Sequence, residues 1–463
     1  MLKTQAASRA DAQSNSQRQL ELGARIERLP LTGPVLWIRS IIGSATFFDG
    51  YTVLTIAYAM PVLVREWHLN PNQTGAILSL GYLGTVFGAV LFGALAERLG
   101  RLRILLFTVL IFVSMDVACL FAVGALSMML FRFVQGIGTG GEVPVASAYI
   151  NEYIGSKNRG RFFLLYEATF LLGLVAAGLI GSQLVPIFGW RAMFVVGIIP
   201  AVVMIPLRFF MKESPRWLAS KGRFDEAERI VADLEKRAMA NGHTLPAPVV
   251  ASRAPIASSK NWLELFQGIY RRRTLTIWAM WFCSYMVANG MIAWLPTLYM
   301  QTFKLPLATS LRYGLLTSIA GLIAAVICAQ LIDRVGRRRW YIGAFLLAPV
   351  ALAVLAFRGA SAPTEVLVLA GLAYAVVQTI TFSLYLYSAE IYPTRLRAIG
   401  TGFGSALARL GSSAGPLVVG TTMASFGIQY VFGLFACILL VGAAVTAFGA
   451  IETRSLSLEE LSP

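Results

Sequence analysis

The residues able to do chemistry are few, and the informative ones stand inside apolar runs. Asp49 sits midway along residues 37–62, in the stretch from Phe47 to Tyr51. Arg132 and Glu142 share the run 126–150, and Arg409 stands mid-run in 399–423, which holds no acid to neutralise it. Charges are expensive in hydrocarbon, so each implies a function or a partner. A lone guanidinium suits the carboxylate of an organic anion, which accepts its planar fork of donors. The plain alternative for Arg409 is a structural bond to backbone carbonyls, Glu142 or Glu167. Glu142 reads equally as a second proton site or as a packing group; Asp116 and Glu167 face either a neighbouring helix or a cavity. The stretch from Trp281 to Pro296 is an aromatic wall with one amide, Asn289, a surface that fits a flat ring better than a sugar. Phe48, Tyr51, Tyr82, Trp281, Tyr285, Asn289, Gln378 and Tyr385 are the candidate lining residues.

The elements that must position these groups follow from composition. Of 463 residues, 57% are hydrophobic and only 13% charged, with a mean hydropathy of +0.68. Soluble domains carry nearly twice that share of charge. Twelve apolar runs, near 37–62, 76–96, 103–123, 126–150, 162–186, 190–211, 274–298, 311–333, 339–357, 364–388, 399–423 and 428–450, are each long enough to cross a bilayer. The fold class is therefore an all-α membrane protein. The net charge of +16 lies in alternate connections, roughly 32 basic residues on one side against 5 on the other. That asymmetry puts both termini in the cytoplasm and leaves no basic stripe for nucleic acid. The divisions are a tail at 1–36, read as disordered over its polar part from Met1 to Pro30, a bundle at 37–211, a linker at 212–273, a second bundle at 274–451 and a tail at 452–463. Within the linker, Ala227, Ile230, Val231 and Leu234 have helical spacing, so Asp225 to Met239 reads as a surface amphipathic helix. Cys119, Cys283, Cys328 and Cys437 fall within the runs and read as small buried core residues. With two histidines, no metal-ligand spacing and no phosphate loop after a strand, the sequence offers no enzyme, cofactor or metal site. Gly136 to Gly141 lies mid-membrane and reads as a helix-packing run.

The chain also repeats itself. Glu97, Arg98, Gly100 and Arg101 close the second run, and Asp333, Arg334, Gly336 and Arg337 close the eighth, at an offset of 236. Glu152 before Arg159 and Arg161 recurs as Glu390 before Arg395 and Arg397. Repeated corners mean two similar bundles, the plan of a transporter. These residues resemble the major facilitator superfamily over essentially the whole hydrophobic chain. Arg132 with Gly136, Gly138, Gly140 and Gly141, the stretch Lys212 to Trp217, Glu390 to Arg395, and Glu452 to Arg454 resemble its sugar-porter and organic-ion branches. The first run is also similar to that of bacterial aromatic-acid and nicotinate proton symporters, with Thr52 where those symporters carry a second acid.

The resemblance implies the major facilitator fold, twelve transmembrane helices in two six-helix bundles. It implies that Asp49 and Arg132 are a proton-coupling pair; the alternative is a static pair fixing helix packing. It implies a cytoplasmic gate in which Glu97, Glu152, Asp333 and Glu390 pair with Arg98, Arg159, Arg334, Arg395 and Arg397 across the bundles, joined by Arg101 and Arg161; the alternative is topogenic charge with surface pairs. The expected function is proton-coupled import of a small aromatic monocarboxylate, nicotinate-like or benzoate-like, at the bacterial inner membrane. An organic-cation or drug carrier, or a sugar carrier, is the alternative, and a non-transporting sensor a distant third. The expected partners are the organic acid, protons and membrane lipid, with a monomeric chain.

Overall fold

The computed structural model describes residues 15, 17–30, 33–153, 159–199, 211–249 and 262–454, without side chains at 33–39, 41–42, 151, 159–167, 394, 395 and 398. The spans are helices α1 (Gly33–Trp67), α2 (Pro71–Leu99), α3 (Arg101–Leu120), α4 (Ala125–Tyr153), α5 (Arg159–Phe188) and α6 (described over 191–199). After the linker come α7 (Gly268–Gln301), α8 (Leu307–Val335), α9 (Arg337–Arg358), α10 (Pro363–Ile391), α11 (Thr394–Ser425) and α12 (Ile428–Gly449). Among the described residues nine helices are long and apolar enough to cross a membrane. The two fully described helices that fall short are α4 and α11. They carry Arg132, Glu142 and Arg409 and are rich in Gly, Ser and Thr, which pack closely on neighbouring helices and line part of the cavity.

Contacts repeat between the halves. In the first bundle α1 packs on α5 and α2 on α4; in the second α7 packs on α11 and α8 on α10. The bundles meet where α2 lies on α11 and α5 on α8. Close approach explains the glycines of α4. A Cβ on Gly136 would strike the Gly81 carbonyl, and one on Gly140 would strike Thr85 of α2. The α2–α11 contact is as tight: a Cβ on Gly75 would sit 2.8 Å from the Pro416 carbonyl, and one on Gly420 would sit 2.5 Å from the Pro71 carbonyl. Both lie at the end remote from the basic loops.

The turns that close α2 and α8 need left-handed backbone, with φ of +109° at Gly100 and +96° at Gly336, a conformation that favours glycine. The linker helix spans Phe224–Ala240, with Ala227, Val231 and Leu234 buried. Residues 17–27, read from the sequence as part of a disordered tail, instead form a helix. Leu22 and Ile26 on one face bury against Trp217, Leu218, Phe224 and Val231, while Arg25 and Arg28 both reach Glu235 at 2.6 and 2.7 Å. That surface partner was invisible to a reading of residues 1–36 in isolation. The cysteine expectation fails at one position: Cys119, Cys283 and Cys328 are buried free thiols, but Cys437 is exposed on α12.

Candidate functional site

A cavity of about 150 Å³ lies between the bundles, lined from α1, α2, α4, α5, α7, α10 and α11. Asp49 and Thr46 stand on its first-bundle side, and Arg409, Ser405 and Ser412 on its second-bundle side. Tyr285, Tyr374, Phe382 and Tyr385 supply rings. Asn289 is fixed by bonds from its amide nitrogen to the Tyr285 carbonyl (3.1 Å) and Ser412 Oγ (3.0 Å), and Tyr385 Oη meets Ser405 Oγ at 3.1 Å. Among the described residues Arg409 has no hydrogen-bond or ion-pair partner, so neither Glu142 nor a described backbone carbonyl neutralises it; the side chain of Glu167, the other acid expected to do so, lies outside the described residues. The Gln378 amide is likewise unpartnered where it meets the cavity. A half-buried cation facing an aromatic enclosure can hold a carboxylate and stack its ring.

Of the expected lining residues, Arg409, Asp49, Tyr82, Tyr285, Asn289, Gln378 and Tyr385 meet the cavity; three others do not. Tyr51 is fully buried and donates its hydroxyl to the Met193 carbonyl at 2.9 Å, tying α1 to α6. Trp281 donates to Ser388 Oγ at 3.0 Å and backs the wall, its ring 4.5 Å from that of Tyr385 and 5.2 Å from that of Tyr285. Phe48 packs edge-on against Phe47 and the apolar core. Glu142 is buried on α4 and is not among the lining residues.

Arg132 is buried off the cavity as well, with different company from that expected. Its Nη1 donates to Gln135 Oε1 and, at 3.5 Å, to the Thr52 carbonyl. Gln135 Nε2 donates in turn to Asp116 Oδ1 at 2.6 Å. The acid joined to Arg132 through this amide is therefore Asp116, which sequence reasoning left without a place.

The gate residues also pair differently. Arg101 meets Glu152 at 3.2 Å within the first bundle, while Arg337 meets Glu390 at 2.9 Å and Asp333 at 2.7 Å within the second. These bridges run inside each bundle, not across the two. The reason is reach: Arg101 and Arg337 each open a helix directly beside the acid closing α4 or α10. Glu97, Arg98 and Arg334 are exposed, and Arg397 bonds the Tyr392 carbonyl at 3.5 Å. The side chains of Arg159, Arg161 and Arg395 lie outside the described residues.

Sequence reasoning missed Glu213 and Glu452 as structural clasps. Glu213 accepts the backbone N–H groups of Arg101 (3.2 Å) and Leu102 (3.1 Å) at the start of α3, and Glu452 those of Arg337 (2.9 Å) and Arg338 (3.2 Å) at the start of α9. A carboxylate there complements the helix dipole. Each also fills the place beside Gly100 or Gly336 that a Cβ would need. Their offset of 239 (213 to 452), within a few residues of those of the other repeats (236 for 97 to 333, 238 for 152 to 390), was the available signal. Burial raises the Glu213 carboxyl above the usual range, although three N–H bonds pull the other way. Burial likewise pushes Glu235 up, but its bonds from Arg25 and Arg28 prevail and hold it below that range.

Two repeated bundles around a central, partly charged cavity define a multi-pass membrane transporter of the major facilitator class, not an enzyme. The chain belongs to the sugar (and other) transporter family, whose model matches residues 37–463. It is 32% identical to the niacin transporter NiaP of Acinetobacter baylyi over 96% of this chain and 100% of that protein. It is 27% identical to the benzoate transport protein of the same organism over 96% of each. In structure it resembles a partially occluded, inward-open form of the xylose transporter XylE from E. coli, with a TM-score of 0.71, 17% identity, and coverage of 92% of this chain and 100% of that one.

Proposed function

We propose that this transporter carries a small aromatic monocarboxylate of the nicotinate or benzoate type into the cell with protons, by alternating access, across a bacterial inner membrane with both termini cytoplasmic. The observation that carries this reading is Arg409, a cavity cation with no hydrogen-bond or ion-pair partner among the described residues. An anionic ligand supplies the missing charge, and Tyr285, Tyr374 and Tyr385 receive its ring. Size agrees: a cavity of about 150 Å³ in another protein takes one benzene ring. Relatives named for niacin and benzoate transport support the same substrate class. Asp49, across the cavity from Arg409, is the group we assign to proton uptake.

The test compares an aromatic acid with its amide. Losing one partner of a desolvated charge pair costs about 2–5 kcal/mol, roughly 30-fold or more in affinity. Arg409→Ala should nearly abolish binding of the acid, and Arg409→Lys should restore little, since the planar fork is gone. The amide should bind wild type weakly and hardly respond to the change. Calorimetric affinities that fall equally for acid and amide would make Arg409 structural and remove the basis of this reading.

A further inference from the structure

The buried trio on α3 and α4 has a geometry that the cavity does not explain. Asp116 is fully buried and Gln135 and Arg132 nearly so, yet none of the three lines the cavity. The Gln135 amide is held at both ends, accepting from the guanidinium through Oε1 and donating to the carboxylate through Nε2. Its orientation is thus fixed by a cation on one side and an acceptor on the other. The bridge leaves capacity unused: Asp116 Oδ2 and Arg132 Nε have no hydrogen-bond partner among the described residues. Space is kept for both groups. A Cβ on Gly81 would lie 3.0 Å from Arg132 Nη2, and one on Gly197 would lie 3.0 Å from Asp116 Oδ2. From this pocket Arg132 also touches the Thr52 carbonyl, one helical turn along α1 from Asp49.

We propose that Asp116, acting through Gln135, is a second counter-charge for Arg132, and that the arginine is shared between it and Asp49 during the proton cycle. When Asp49 binds a proton from the cavity water, its attraction for the guanidinium disappears and the Gln135–Asp116 bridge holds the cation. When Asp49 releases that proton, the carboxylate competes for Arg132 again. No bond other than the carboxyl O–H forms or breaks. Asp116 is here a positioning residue, and the inference rests on the proton-coupled reading above. The ionisable groups around Asp116 are Arg132, Cys119 on its own helix and Tyr51 on α1, with Tyr82 of α2 beside Arg132. Those sharing the cavity with Asp49 are Arg409, Tyr82, Tyr285, Tyr374 and Tyr385.

The test uses two substitutions with opposite expected signs. Asp116→Asn leaves Arg132 with Asp49 alone, so Asp49 gives up its proton more readily and the pH midpoint of uphill uptake should fall by about one unit. Gln135→Glu places an acid directly against Arg132, frees Asp49 to keep its proton, and should raise the midpoint. Counterflow exchange, which needs no net proton movement, should persist in both. Purified full-length protein in proteoliposomes, assayed with radiolabelled benzoate or nicotinate across a pH series, gives the readout. If Asp116→Asn does not accumulate in the membrane, the sign of Gln135→Glu decides alone. Unmoved midpoints, or shifts in one common direction, beside a pH-dependent wild type overturn this inference only. A wild type indifferent to pH and to a protonophore overturns the coupling reading, and this inference with it.

Discussion

Among the cavity side chains without a hydrogen-bond partner in the described residues, Arg409 and Gln378 are suited to different work. Arg409 supplies charge; Gln378 supplies a neutral amide on α10, with no partner among the described residues. An amide can donate to a ring nitrogen or ring substituent, which a bare benzene ring lacks. Gln378→Leu should therefore weaken a pyridine carboxylate by about fivefold, the worth of one ordinary hydrogen bond, while leaving benzoate within twofold. Equal losses for both acids in competition uptake would show that Gln378 does not read the ring. The charged members of the cavity were legible in the sequence because a charge in an apolar run announces itself. Which aromatic faces the ligand was not. Tyr51 and Trp281 sit on helices buried all round, where hydropathy has no preferred face, and a turn of 100° per residue separates lining from backing.

The helices and their corners were legible for a different reason: apolar length, left-handed glycines and a repeat offset are local properties of the chain. Pairing at the corners was not, because several arginines lie within a few residues of each acid and only side-chain reach selects Arg101 and Arg337. The helix at 17–27 was missed because its partner, the linker helix, lies 200 residues away. Its docking carries a pH signature. Since Arg25 and Arg28 hold Glu235 below its ordinary value of 4.5, the contribution is fully present above that value and is lost as pH falls through the lower, folded one. Energy transfer between labels on residue 20 and residue 236 should be constant through neutral pH and decline only in acid below about 4.5. Glu235→Gln should weaken docking where the wild-type carboxylate is charged, have little effect below that range, and remove the acid transition. A transition that survives Glu235→Gln would assign the effect to another group.

At the scale of the whole molecule, the bundles are joined where backbone meets backbone. The Gly75–Pro416 and Gly420–Pro71 contacts, with Ser413 Oγ donating to the Ser79 carbonyl at 3.1 Å, bring α2 and α11 together at the end remote from the basic loops. The alternating access proposed above requires that this end part and close again. Gly420→Leu inserts a side chain where even a Cβ is too near Pro71, so the closed state should lose population. We expect turnover to fall by tenfold or more, with substrate affinity in detergent changed only a few-fold. A cysteine placed at Ser412 should label faster from the remote side. Normal turnover in Gly420→Leu would mean that the contact yields without cost.

The cap beneath the first bundle also bears on how the protein is made. Residues 17–27, the helix at Pro215–Ser220 and the helix at Phe224–Ala240 bury their apolar faces in one small cluster, all of it encoded before α7 begins at Gly268. The first half can therefore cover its exposed surface while the ribosome is still working. At about 5–20 residues per second, the rest of the chain needs roughly 10–40 seconds more. The segments of the cap and the helices of the first bundle are thus complete in sequence before the second bundle is made. The helices α8 and α11, made later, pack on surfaces of α5 and α2 that were made first.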